Sequence, residues 1–125
     1  MASLLPQSEP VYLDTDMAVS LIGDLQSMQG MLAMLEESLA RDIPTIARLI
    51  EARDIVGANR LLHSIKGFIP IFCGPALCEL VVQVELLSKD RESTVIGAAY
   101  AELQPELQQL LAEVSAYLND NGASQ

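Results

Sequence analysis

The 125-residue sequence contains no tryptophan, and aromatic residues make up only 4% of it. Any core must be built from Leu, Ile, Val, Met and Ala, and apolar content of 50% argues against disorder. The β-type alternation of Tyr, Phe and Thr is missing, which favours helix over sheet. No uninterrupted apolar run approaches the roughly 18 residues of a membrane-spanning helix. The opening MASLLPQSEP has two prolines and no basic stretch, so it does not read as a signal peptide. Basic residues are scarce, seven against 17 acidic ones, for a net charge of −10. Phosphate neutralisation dominates nucleic-acid affinity, so DNA and RNA are poor partners, as is an anionic membrane surface. Two cysteines, Cys73 and Cys78, are too few for a disulfide framework and, beside Gly74-Pro75, badly spaced for a metal. They read as reduced, structural thiols in the cytoplasm, with a redox role as the alternative. A single histidine excludes a helical bundle that grips a metal or haem through inward His/Glu pairs, and no metal site is expected.

What basic charge there is has a strong position bias. Every Lys and Arg falls between Arg41 and Arg91, which leaves that segment nearly neutral and both flanks acidic. Packed side by side, such segments give one relatively basic face, unless the bias is only chance and solubility. Residues 1–10 read as a flexible lead, 11–119 as one helical domain and 120–125 as a disordered tail. Asp14 or Thr15 caps a short first helix ending between Ser20 and Leu25, and Gly23 and Gly30 bracket a break. A longer helix over about 27–52 carries Met28, Met31, Leu32, Leu35 and Leu39, with Pro44 as a kink or a new first turn. Asp54 to Gly57 is a tight connection, and Asp54 can cap the next helix. The next helix carries Ala58, Leu62, Ile65, Ile69 and Phe72 as a core stripe. Gly74-Pro75 opens another helix, with Leu77, Leu80, Val81, Val84 and Leu86/Leu87 inward. A polar turn over 88–93 precedes a last helix from about Thr94 to Leu118. The expectation is an all-α, up-and-down antiparallel four-helix bundle with an additional short N-terminal helix.

Histidine is the side chain that joins nucleophilicity to titration near neutrality, and His63 is the only one. At about 100° per residue, Leu62 and Ile65 face the core and His63 points outward. An exposed histidine is usually only a surface residue, so its neighbours matter. Lys66, three residues on, places an ammonium where it can screen a dianion on the imidazole. Gly67, one turn above His63, costs about 0.5–1 kcal/mol relative to Ala inside a helix. It either admits another protein's backbone close to the ring or allows close packing between helices of this chain.

His63-Ser64-Ile65-Lys66-Gly67 resembles the H-x-x-K-G signature of histidine-containing phosphotransfer (HPt) domains, and in its H-S-I-K-G form that of chemotaxis histidine kinases. The resemblance continues downstream. Leu62 and Ile65 fit the apolar positions around the histidine, Leu62 being larger than the usual Ala. Gly74, Leu77 and Leu80 look like the family's glycine turn and L-x-x-L helix. Val84-Glu85 matches its apolar–Glu/Gln pair, 22 residues past the histidine. Upstream, Leu13-Asp14 and the stretch from Ile43-Pro44 to Asp54 are similar to its first helices. The match covers roughly residues 12–118. The chain departs from the pattern after Gly67, where Phe68-Ile69-Pro70-Ile71-Phe72 is bulky and Cys73 precedes the glycine. Pro70 has no N–H for the Lys66 carbonyl, so a kink is expected.

The resemblance implies a phosphoryl carrier in a two-component phosphorelay, not an independent enzyme. His63 would be the phosphoacceptor, taking the group from a receiver-domain aspartate or a sensor histidine kinase and passing it on. Lys66 would stabilise the phosphate, and Glu85 would orient the imidazole unless it is merely a solvated surface acid. Gly67, Arg60, Ser64 and Ile71 would form the docking face, with burial of Ile71 at the Pro70 bend as the alternative. No cofactor of its own is expected, since Mg²⁺ belongs to the partner receiver. The protein is expected to be a cytoplasmic monomer. The competing reading is a helical adaptor that binds a receiver or kinase without carrying phosphate, its surface altered by Phe68, Ile71 and Phe72.

Overall fold

The computed structural model describes residues 10–121. Five helices follow in order: α1 (Thr15–Ile22), α2 (Leu25–Glu51), α3 (Ile55–Phe72), α4 (Pro75–Leu87) and α5 (Ile96–Asp120). Aspartates start three of them. Asp14 accepts the Met17 N–H at 3.0 Å, Asp24 that of Ser27 at 2.7 Å, and Asp54 that of Gly57 at 3.0 Å. Each satisfies an amide that has no partner within the first turn. Gly23 closes α1 at φ 119°, in the left-handed region that favours glycine. Pro75 occupies the first turn of α4, where its missing N–H removes no helix bond.

The helices are longer and less broken than expected. Between Thr15 and Glu51 the only break is Gly23-Asp24, and Gly30 lies inside α2. A helical glycine costs up to about 1 kcal/mol. Burial of a large apolar side chain contributes about 1.5–3 kcal/mol, and Met28, Leu32 and Leu35 are all buried around it. Pro44 also lies within α2, flanked by buried Ile43 and Ile46, and starts no new helix. Pro70 and Pro105 are likewise interior, so α3 continues through the bulky segment to Phe72. The connection before α3 is confined to Ala52–Asp54, because Asp54 already caps it. Asp120, the first residue of the expected tail, belongs to α5. The rest of the expected tail, 122–125, and the lead over 1–9 lie outside the described residues.

Packing follows the apolar stripes. α2 lies against α3 and α5, α4 also lies against α3 and α5, and the diagonal backbones stay apart across the shared core, which is a four-helix bundle. α1 crosses one end, on α2 and α3. The core runs through Leu32, Leu39, Ile46, Leu62, Ile65, Ile69, Phe72, Leu77, Val81, Leu103, Leu107 and Val114. Three assigned core positions are instead exposed: Met31, Leu86 and Leu87. The inward stripe of α4 is Leu77, Val81, Val84. About 100° per residue puts Leu86 on the opposite side and Leu87 at its edge. Leu80, Leu111 and Tyr117 are half-buried flanks of the core.

A second anchor sits below the bundle. The segment before α1 runs antiparallel to the end of α3, where the Asp14 amide donates to the Phe72 carbonyl at 2.8 Å. Buried Glu113 of α5 accepts the backbone amides of Val11, Tyr12 and Leu13 at 2.8–2.9 Å and Gln109 Nε2 at 2.7 Å. The Tyr12 hydroxyl donates to Glu106.

Candidate functional site

The site is built on one side of α3 and the facing side of α4. Starting from His63, the helical rotation puts Asn59 and Lys66 to one side of the imidazole, and Arg60, Gly67 and Ile71 to the other. The first side faces α4, the second faces solvent. The His63 side chain is 67% exposed, whereas that of Glu85, on α4, is 1% exposed. The two meet where the helices pack: His63 Nδ1 lies 3.4 Å from Glu85 Oε2. That is long for a hydrogen bond, and it is the contact a tautomer-setting carboxylate requires. Glu85 is therefore no solvated surface acid.

Burying a carboxylate demands donors. Lys66 Nζ donates to Glu85 Oε1 at 3.2 Å, and Asn59 Nδ2 donates to Oε2 at 3.2 Å. Burial pushes the Glu85 pKa up, but the hydrogen bonds from Lys66 and Asn59 and the charges of Lys66 and Lys89 outweigh it and hold it below the usual carboxylate range. Lys66, expected on a phosphate, is held on Glu85 here with its side chain 30% exposed.

Asn59 and Ser88 escaped the sequence reading. Asn59 Nδ2 lies 2.8 Å from Ser88 Oγ and 3.3 Å from the Glu85 carbonyl oxygen, and buried Ser88 donates to that same carbonyl at 2.6 Å. The available signal was spacing: Asn59 lies one turn before His63, and Ser88 one turn after Glu85. Neither residue type singles out a site by itself.

The remaining candidates occupy the open side. A Cβ added at Gly67 would meet no atom within 4 Å, so Gly67 serves no close helix packing. Arg60 and Ser64 are exposed. Ile71 is half-buried against the core and is not enclosed by a Pro70 bend. Phe72 is buried and reaches the surface only at the floor of the cleft beside Phe68. Phe68 borders a shallow apolar cleft of about 170 Å³ with Met31, Met34, Leu35 and Ser38 of α2. Cys73 and Cys78 are free, and burial pushes the Cys73 thiol up to about 12, which makes it unreactive near neutrality. Among the described residues, no three His, Cys, Asp or Glu side chains form a group able to hold a metal ion. No described helix is long and apolar enough to cross a membrane.

No curated protein and no solved structure matches the chain. The family description "Hpt domain" matches residues 30–117, which take in α3, α4 and every residue of the His63–Glu85 arrangement. Hpt domains are phosphocarrier modules that interact with receiver domains and kinases in two-component signalling. With most of its length matched and with the all-helical bundle described above, this chain belongs to the Hpt domain family.

Proposed function

We propose that the protein carries a phosphoryl group on Nε2 of His63 between receiver-domain aspartates, or from a sensor histidine kinase to a receiver. The observation that carries this reading is the pairing of an exposed imidazole with a buried carboxylate at its Nδ1. A neutral ring with its proton on Nδ1 has its lone pair on Nε2, the nitrogen left for solvent and partner. That lone pair attacks the phosphorus of an aspartyl phosphate. The P–N bond forms, the P–O bond to the aspartyl carboxyl breaks, and the aspartate leaves as a carboxylate. The ring becomes cationic while keeping its Nδ1 proton, and the Glu85 charge compensates it. Lys66 then turns from Glu85 Oε1 towards the phosphoryl oxygens. Transfer of this kind depends on positioning and charge stabilisation, and the partner receiver supplies Mg²⁺. Partners dock over Gly67, with Arg60, Ser64 and Ile71 around it. On this reading the protein works as a cytoplasmic monomer with no cofactor of its own.

The test is incubation with a phosphorylated receiver domain and Mg²⁺, followed by assay of this chain for acid-labile, base-stable phosphate. His63→Gln should abolish the label and leave helical circular dichroism and melting nearly unchanged, because His63 is an exposed helix residue. Label retained by His63→Gln overturns the assignment. A wild-type chain that binds the receiver but takes no phosphate is an adaptor instead.

A further inference from the structure

We infer that Asn59 is a positioning residue for His63: clamped by Ser88, it holds Glu85 Oε2 in place to accept the hydrogen bond of the imidazole Nδ1–H. The inference rests on the proposed chemistry of His63 only for its consequence on transfer. The positioning itself can be read on the unphosphorylated protein.

Hydrogen-bond capacity fixes the orientation of the Asn59 amide. Ser88 has one hydroxyl proton, and it is given to the Glu85 carbonyl at 2.6 Å. Its oxygen is therefore an acceptor towards Asn59, as are the Glu85 carbonyl and Glu85 Oε2. All three neighbours of the Asn59 amide nitrogen accept, so the amide has one workable orientation. One N–H goes to Ser88 Oγ at 2.8 Å and the other to Glu85 Oε2 at 3.2 Å. Asn59 has two side-chain torsions, and buried Ser88 leaves it little room to move.

Lys66 is a donor of a different kind. It is long, partly exposed, bonds the other oxygen, Oε1, and has a competing task on the phosphoryl group. When Lys66 leaves, Glu85 keeps a single fixed donor, Asn59, on the oxygen that faces His63. Without Asn59, the carboxylate would lose that donor and swing towards Lys66. His63 Nδ1, already 3.4 Å from Oε2, would lose its acceptor. The same donor helps hold the Glu85 carboxyl ionised.

The experiment is ¹⁵N NMR of the imidazole, at a pH where the ring is neutral, in wild type, Asn59→Ala, Asn59→Leu and Glu85→Gln. A single histidine makes the signal unambiguous. Asn59→Leu keeps the volume without the donor, so it stands in if Asn59→Ala disturbs the α3–α4 contact. In wild type the Nδ1–H tautomer should predominate. Both Asn59 variants should lose that preference, as Glu85→Gln does, and the Glu85 carboxyl should titrate at higher pH. Phosphate acceptance should slow about tenfold, the low end for loss of an orienting partner. If the tautomer is unchanged in both Asn59 variants while Glu85→Gln shifts it, Asn59 only closes α3 onto α4 and the inference is wrong. If Glu85→Gln leaves it unchanged too, the inference also falls, since it acts through Glu85. Absence of phosphate transfer in every protein, wild type included, would sink the phosphocarrier reading and leave the tautomer result standing.

Discussion

Among the described residues two glutamates are withdrawn from water, and their partners differ in kind. Glu113, 9% exposed, is held chiefly by backbone amides: Val11, Tyr12 and Leu13 donate to it, with Gln109 as the one side-chain donor. Its bonds are all 2.7–2.9 Å. Glu85 is held by side chains alone, at 3.2 Å from Lys66 and Asn59 and 3.4 Å from His63. Backbone donors are fixed by the path of the chain, so Glu113 is saturated and static. Side-chain donors can shorten, lengthen or leave, so Glu85 can respond to what happens on the imidazole. A buried acid at the base of the bundle therefore ties the segment before α1 to α5, whereas a similarly buried acid between α3 and α4, on the proposed function, serves the chemistry of His63.

The contrast breaks most visibly when each carboxylate is removed. Glu113→Ala strands three backbone amides at the end of the bundle. A charge-assisted hydrogen bond is worth about 1.5–3 kcal/mol, and bonds that share one carboxylate are not independent, so a loss of about 3 kcal/mol is expected. Urea unfolding measures it, and amide exchange of Leu13 and Asp14 should accelerate. Glu85→Gln should lose only about 1 kcal/mol, because partly exposed Lys66 regains water and Asn59 keeps Ser88. Phosphate transfer should reverse the ranking: strongly slowed in Glu85→Gln, near normal in Glu113→Ala. Equal effects on both readouts would erase the distinction.

Acid sharpens the same comparison. Burial raises the Glu113 pKa, but Gln109 and the Leu13, Tyr12 and Val11 amides overcome it, and the net direction is below the ordinary value of 4.5. A depressed folded pKa gives stability that is present above the unfolded value and is lost as pH falls through the folded one. The melting temperature should therefore drop progressively below about pH 4.5. Glu85 has the same sign. Glu113→Gln should flatten the acid slope more than Glu85→Gln, because more fixed donors act on Glu113. Thermal melts from pH 7 to pH 3 decide it.

The two ends also differ in how far they were legible. His63, Lys66 and Gly67 form a local pattern, and Glu85 follows at one register on the next helix, so the motif carried the Glu85 end of the site. The caps Asp14 and Asp54 and the Gly74-Pro75 start were equally readable, because capping is local chemistry. Glu113 was not legible. Its backbone donors lie about a hundred residues away along the chain, and nothing near Glu113 distinguishes it from Glu102 or Glu106 on the same helix. Asn59 and Ser88 were missed for the same reason: their role exists only once α3 and α4 are packed together. Gly30 misled in the opposite sense, as a local breaker overridden by burial on α2.

A smaller effect separates the two sides of His63 itself. Gly67 faces open space, and leucine is the better helix former by up to about 0.8 kcal/mol. Gly67→Leu should therefore raise the melting temperature slightly while slowing transfer from a receiver. Unchanged transfer would show that the partner's backbone does not pass over this turn.

The smallest effect is expected at Arg60. It is exposed, and it stands on the open side of His63, away from Glu85. A charge at the edge of a docking face acts mainly before contact, by steering, and contributes little once water can reach the pair. Receivers present an acidic pocket, so Arg60→Ala should slow association a few-fold at low salt and leave dissociation almost unchanged. The deficit should shrink as salt rises, because screening at about 0.15 M already limits exposed charges to roughly 8 Å. Ile71 makes the contrasting case on the same side. It is half-buried on the core and uncharged, so Ile71→Ala should speed dissociation with little salt dependence. Stopped-flow binding of a receiver domain at two salt concentrations separates them. An Arg60→Ala defect that sits in the dissociation rate and persists at high salt would move Arg60 from the rim into the contact, and would enlarge the docking face beyond Gly67 and Ile71.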